Sequence, residues 1–166
     1  MTIHQVFAAA EQIGSYAYLK LSTASAIMVR QLVQDAPFST YKANKLHVTT
    51  IFSFDVMDPN EMLKNAFTGK AHAQLTKADW LGKDNCVVLH LLCPQAKACN
   101  KKWRGLGLQG TYPTYMSHMS IAQDIEKTPA NIAYVQELNR MLESEVHGLL
   151  LEDEGVDFLD AKSTGN

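Results

Sequence analysis

LHVTTIFSF, residues 46–54, reads as a strand, and it carries the tetrapeptide His47-Val48-Thr49-Thr50. Residues 118–121, His118-Met119-Ser120-Ile121, repeat its pattern. In both, a hydroxyl residue follows the histidine by two positions. Side chains at i and i+2 leave a strand on the same face, so each segment offers an imidazole and a hydroxyl to one cleft. Val48, Met119 and Ile121 point the other way, toward a core. Two such units suit phosphodiester cleavage, which needs a base to activate a nucleophile and an acid to protonate the leaving oxygen. An imidazole of ordinary pKa, about 6.5, is available in both forms near neutrality. Thr49 and Ser120 are placed to donate to the non-bridging phosphate oxygens, contacts that strengthen as charge builds in the transition state. A single His-x-Thr or His-x-Ser carries almost no information, and a lone strand histidine is normally a packed structural residue. The argument rests on the pair.

Outward from these segments, SYAYLKLS (Ser15 to Ser22) alternates as a strand, with Ala17, Leu19 and Leu21 on one face and Tyr16, Tyr18 and Lys20 on the other. A helix is expected from Thr23, as N-cap, to about Gln34, with Ile27 and Val33 among its apolar positions. Asp58-Pro59-Asn60 breaks the chain and precedes a short helical turn. Lys70 to Trp80 is a strand with Ala71, Ala73 and Leu75 opposed to His72, Gln74 and Thr76. Leu81 to Asn85 is a turn. CVVLHLLC, Cys86 to Cys93, is apolar on both faces, as a central strand is. A helix from Gln95 to Leu106, a Gly- and Pro-containing loop and the strand His118 to Gln123 follow. Thr128-Pro129 opens a helix with Ile132, Val135, Leu138 and Leu142 as its buried stripe. Leu149 to Glu152 is the last strand, and the tail after about 160 is expected to be loose. The order β-α-β-β-β-α-β-α-β repeats in outline, each half having a helix followed by a short histidine strand.

The 166 residues fit one domain, and no linker divides them. Hydrophobic residues make up 46% and charged residues 19%, the balance of a globular protein. A net charge of −2 gives no global basic field, so no long nucleic-acid partner is expected, whereas a small anionic ligand in a local pocket is compatible. There is no run of 18 apolar residues for a membrane span, and the start, apolar only near Val6 to Ala10, is not read as a signal peptide. Three cysteines argue against a disulfide framework and for a reducing cytoplasm. Cys86 and His90 share a strand face but lie about 13 Å apart, too far for one zinc ion; Cys86, His90, Cys93 and Cys99 are read as structural, and neither metal nor cofactor is expected. In Lys101-Lys102-Trp103-Arg104, Trp103 is the core anchor of a surface helix. Lys20, on the tyrosine face, is a candidate phosphate neutraliser. Tyr16 and Tyr18 share a face, and at least one of them is expected to flank the cleft, where an aromatic plane can stack on a base.

The doubled His-hydrophobic-Thr/Ser-hydrophobic pattern resembles the two-histidine (2H) phosphoesterase superfamily, which includes LigT-like RNA cyclic phosphodiesterases. Thr50 departs from it, since the family usually has an apolar residue there. The resemblance implies an α+β, bilobed, pseudo-symmetric fold with antiparallel sheets around a central cleft flanked by helices, and catalysis without metal. GSYAYLKLS, KLHVTTIFS and Trp80 are more closely similar to the phage anti-CBASS nucleases of that superfamily, which degrade the cyclic oligonucleotide alarm signals of bacterial immunity. This implies a cyclic oligonucleotide substrate, action in a host bacterial cytoplasm, base stacking by Tyr16 and Trp80, and an adenine contact from Glu152 or Glu154. The alternatives are a LigT-like enzyme opening 2′,3′-cyclic RNA ends, and a module that sequesters a cyclic nucleotide uncut.

Overall fold

A computed structural model of the chain describes residues 11–160. His4, the Val6–Ala10 segment and the tail beyond 160 lie outside the described residues. The elements run β1 (Gly14–Leu21), α1 (Thr23–Leu32), β2 (His47–Ser53), α2 (Pro59–Asn65), β3 (Lys70–Leu81), β4 (Cys86–Leu92), α3 (Pro94–Gly105), β5 (His118–Ala122), α4 (Pro129–Ser144) and β6 (His147–Leu159). The strands form one antiparallel sheet in the order β2-β1-β6-β3-β4-β5. The chain is thus two copies of β-α-β-α-β that exchange their last strands: β3 pairs with β4, and β6 pairs with β1. The two expected sheets are joined through the β3–β6 pairing, and the histidine strands β2 and β5 are the outermost strands. The sheet curls until those two edges touch.

Local chemistry sets the helices. Ser22, not Thr23, caps α1, its Oγ accepting from Ser25 N at 3.1 Å. Asp58 caps α2 with Pro59 in the first turn, and Thr128 caps α4 with Pro129 behind it. Ala26 and Val29 of α1 and Val135, Leu138 and Leu142 of α4 cover one face of the sheet with Leu19, Val48, Leu89 and Met119. Ile27 and Ile132, expected in those stripes, are exposed at 50% and 36%. A second cluster joins Ala17 and Ile51 to Met62 of α2 and Trp103 of α3.

Among the described residues, four single-residue bulges interrupt the sheet, and they decide which side chains meet. On β2, Thr49 pairs with Tyr18 and Ile51 with Ala17, leaving Thr50 as the extra residue. On β5, Ser120 pairs with Val88 and Ala122 with Val87, leaving Ile121. The two bulges follow their histidines by the same three positions. Thr76 is the extra residue on β3, and Asp153, at φ 38°, on β6. Asp153 breaks the pattern that suggested β6 ended at Glu152, but the strand absorbs it and continues to Leu159.

Candidate active site

The two histidines are held alike. His47 Nδ1 lies 2.8 Å from Lys45 O, and His118 Nδ1 lies 2.9 Å from Met116 O, in each case the carbonyl two residues back. A carbonyl only accepts, so both Nδ1 atoms carry the proton and Nε2 is the nitrogen left for chemistry. His47 pairs across the sheet with Lys20 and Thr49 with Tyr18, which puts His47, Thr49, Tyr18 and Lys20 on one face. His118 pairs with His90 and Ser120 with Val88. Val48, Met119 and Ile121 are fully buried on the other face, as expected. Thr49 of β2 and His118 of β5 line one cavity of about 300 Å³, so the curl of the sheet brings both units to a common groove.

Tyr16 reaches from β1 to the His47–Thr49 pair on β2. Its hydroxyl lies 2.7 Å from His47 Nε2 and 3.3 Å from Thr49 Oγ1. Burial, opposed by the Thr49 hydrogen bond, pushes the phenol up to about 12, so it remains a donor and His47 Nε2 the acceptor. His47 is lowered from the ordinary histidine range, first by burial and further by the nearby His118, against the pull of the Lys45 carbonyl. It therefore rests neutral. Tyr18 stacks on Tyr16 with ring centres 5.2 Å apart, and its ring fills the space above Gly155, where a Cβ would lie 2.6 Å from Tyr18 Cζ.

The two glutamates separate. Glu152 pairs with Lys20 and so shares the histidine face. The Asp153 bulge then turns Glu154 to the core side, opposite Leu19. There its carboxylate accepts from Thr50 Oγ1 (2.5 Å), Trp103 Nε1 (2.7 Å), Lys102 Nζ (2.8 Å) and Phe67 N (2.9 Å). Burial alone pushes its pKa up, but these donors, Lys102 foremost, hold it below the usual carboxylate range. Glu154 is an internal structural carboxylate; with four donors on a buried group it presents nothing to a ligand, which corrects its expected place in the site. The polar Thr50 is explained by the same cluster. Trp80 is corrected too: the Thr76 bulge turns it to the helix side with Ala78, against the main core and with Lys127 Nζ 5.5 Å from its ring. It does not share a face with the histidines. Lys20 is exposed beside His47.

One neighbour is not legible from the sequence. His90 sits across from His118 with ring centres 6.3 Å apart and Nε2 3.8 Å from Asp79 Oδ2. Burial chiefly, then Lys77, lowers it, Asp79 opposing. Only the β4–β5 register reveals the pair. Among the described residues no three His, Cys, Asp or Glu side chains form a metal-ligating cluster.

The family described as anti-CBASS protein Acb1 matches residues 13–156. A crystal structure described as a phosphoesterase has the same fold, with TM-score 0.52 and 14% identity over 72% of this chain and 79% of that one. The crystal structure of TT0787 of Thermus thermophilus gives TM-score 0.51 and 15% identity over 86% of this chain and 83% of that one. At these identities the likeness is one of fold. No curated protein gives a significant match.

Proposed function

The chain belongs to the anti-CBASS protein Acb1 family, and on that premise we propose that it cleaves the 3′–5′ bonds of cyclic di- and trinucleotide signals by metal-independent, two-histidine acid–base catalysis. Family and two-histidine phosphoesterase fold together support a phosphodiesterase that counters CBASS. The observation that carries the mechanism is the matched tautomer: both Nδ1 atoms are engaged by the i−2 carbonyl, which leaves both Nε2 atoms for chemistry, and Thr49 of one unit and His118 of the other line one cavity. His47, held neutral by burial, is the base. Its Nε2 exchanges the Tyr16 hydroxyl for a ribose 2′-hydroxyl and takes that proton. The 2′-oxygen bonds to the adjacent phosphorus, and the bond from phosphorus to the 5′-oxygen breaks. His118 Nε2 supplies the proton to the departing oxygen. Thr49 and Ser120 donate to the non-bridging oxygens. The first product carries a 2′,3′-cyclic phosphate, which water opens with the histidine roles reversed.

The test is cleavage in excess EDTA of a panel of cyclic di- and trinucleotides beside an RNA 2′,3′-cyclic end. Wild type is expected to linearise the rings, and His47→Ala and His118→Ala to lose the activity by at least about 100-fold. A ring whose scissile nucleotide lacks the 2′-hydroxyl should remain intact. Opening of the RNA end alone would make this a LigT-like enzyme. Efficient cutting of the deoxy ring would end the intramolecular mechanism, and binding without turnover would make the protein a sequestering module.

A further inference from the structure

The loops that enter the two histidine strands also repeat. Thr40-Tyr41 precedes His47 and Thr111-Tyr112 precedes His118, with the same five-residue spacer between tyrosine and histidine. Each loop crosses to the open edge of the opposite histidine strand. Tyr41 N donates to Ile121 O at 2.7 Å, and Thr111 N donates to Phe52 O at 3.2 Å. Because β2 and β5 end the sheet, those carbonyls face outward and are free to accept the crossing loop. The crossing sets each tyrosine at a cavity that its own histidine lines. Tyr112 and His118 line the cavity of about 300 Å³, with Arg104 and Met116. Tyr41 and His47 line one of about 350 Å³, with Lys45 and Gln123.

Tyr41 rests one side on the core, as Tyr115 does, but its hydroxyl is not tied to a histidine strand's backbone as that of Tyr115 is to Thr49 O at 2.7 Å. Tyr112 is 60% exposed and Met116 beside it 55% exposed. Tyr41 is half-buried, and its hydroxyl donates to Gln123 Oε1 at 2.6 Å, which ties the ring to a second residue of the same cavity. An aromatic plane at a cavity beside a phosphate-cleaving group suits a nucleobase, since every base has a π-face and stacking needs no particular edge. Arg104 holds the Tyr112 side of its loop in place by donating from Nη2 to Tyr112 O at 2.8 Å.

We propose that Tyr41 and Tyr112 are a pair of stacking shelves, one on each side of the scissile phosphate, each holding one nucleobase of a cyclic oligonucleotide. The proposal rests on the reading of His47 and His118 as phosphodiesterase groups. It adds that the internal two-fold of the chain is matched to a substrate with two bases around one reacting phosphate. Since His47 takes the 2′-hydroxyl proton, the base of the attacking nucleotide lies on Tyr41 and that of the departing nucleotide on Tyr112.

The experiment compares Tyr41→Ala, Tyr112→Ala and the matching phenylalanine variants on two substrates. One is a cyclic dinucleotide. The other is a nucleoside 3′-(4-nitrophenyl phosphate), which keeps the attacking nucleotide but has nitrophenolate in place of the departing one. Tyr41→Ala should raise KM about tenfold for both substrates. Tyr112→Ala should raise it about tenfold for the ring and leave the nitrophenyl ester unchanged. Both phenylalanine variants should stay within about twofold of wild type, because the ring is kept. Equal losses on both substrates from Tyr112→Ala, alanine variants that change nothing, or phenylalanine variants as poor as alanine would each overturn the shelves. Binding of a 2′-deoxy cyclic dinucleotide, which the proposed chemistry cannot cut, separates this from the catalytic reading. If wild type is inert on ribose rings but the alanine variants bind the deoxy ring about tenfold more weakly, the shelves stand and the phosphodiesterase falls. If wild type binds no ring, both fall.

Discussion

At the scale of single residues, catalysis in this groove turns on what holds His47 Nε2. The Tyr16 hydroxyl donates to it from 2.7 Å, and burial lowers the imidazole. The rate should therefore fall on the acid side only when the pH drops below the ordinary histidine value of about 6.5. A donated hydrogen bond to the Nε2 lone pair favours the neutral ring, so removing the donor favours protonation. Tyr16→Phe keeps the ring and loses the donor, and the acid limb of kcat/KM should move up toward the ordinary value. A limb that does not move would show that Tyr16 leaves His47 untouched. A second residue acts through Tyr16. Gly155 lies under the Tyr18 ring, and an added methyl 2.6 Å from Cζ must push that ring against Tyr16, its stacking partner. Gly155→Ala should lower kcat/KM roughly 10- to 100-fold by misplacing His47, for about 1–3 kcal/mol of stability by urea unfolding. An unaltered kcat/KM would break the chain from Gly155 to His47. That each histidine shares a face with the hydroxyl residue two positions on was legible in the sequence, because i and i+2 on a strand share a face whatever the strand pairs with. His90 was not, since its place beside His118 is a matter of register between strands.

At the scale of elements, the bulges separate what the sequence shows from what it hides. Alternation counted along β3 puts Trp80 on the exposed side with His72 and Gln74, and the extra residue at Thr76 reverses it. Counted along β6, Glu152 and Glu154 share a face, and the extra residue at Asp153 sends one to the histidine face and the other to the core. A bulge is set by two strands in register, so a single-strand period of two cannot reveal it. Elements with strong local signals were readable: the Thr-Pro opening of α4, the apolar run of β4 between β3 and β5, and the histidine strand β5. The glutamates supply the test. Glu154→Ala leaves Lys102 without its carboxylate and removes the acceptor of Thr50 and Trp103. It should cost about 3 kcal/mol in urea unfolding. Glu152→Ala, at a half-buried position opposite Lys20 in the sheet, should stay within about 0.5 kcal/mol and act on KM. Equal stability losses from the two would contradict the separation of faces.

At the scale of the whole molecule, strand exchange makes each half depend on the other. β3, from the first repeat, completes the sheet of the second, and β6 does the reverse, so the groove between β2 and β5 exists only when both halves are folded. This explains why the two-fold pattern was visible in the order of elements while the single sheet was not: the exchange is a non-local pairing. The same interdependence makes global stability a readout of the groove. His47 and His90 both lie on the groove face and are lowered by burial, while in the unfolded chain they titrate near about 6.5. As the pH falls through about 6.5, the unfolded chain binds protons that the folded one does not, so unfolding is favoured. Their stabilisation is complete above that value and is lost as the pH falls toward the lowered folded values. Glu154, lowered by its donors, contributes above about 4.5 and loses its share at still lower pH. The urea midpoint should accordingly be flat near pH about 8, decline in one step below about 6.5 and decline again below about 4.5. His90→Asn should shallow the first step without touching the second, because the Glu154 cluster that sets the second lies on the other side of the sheet and keeps its donors. A midpoint that rises between pH about 7 and about 5 would mean that the folded chain, not the unfolded one, takes up the protons, and would contradict the neutral resting state on which the assignment of His47 as base depends.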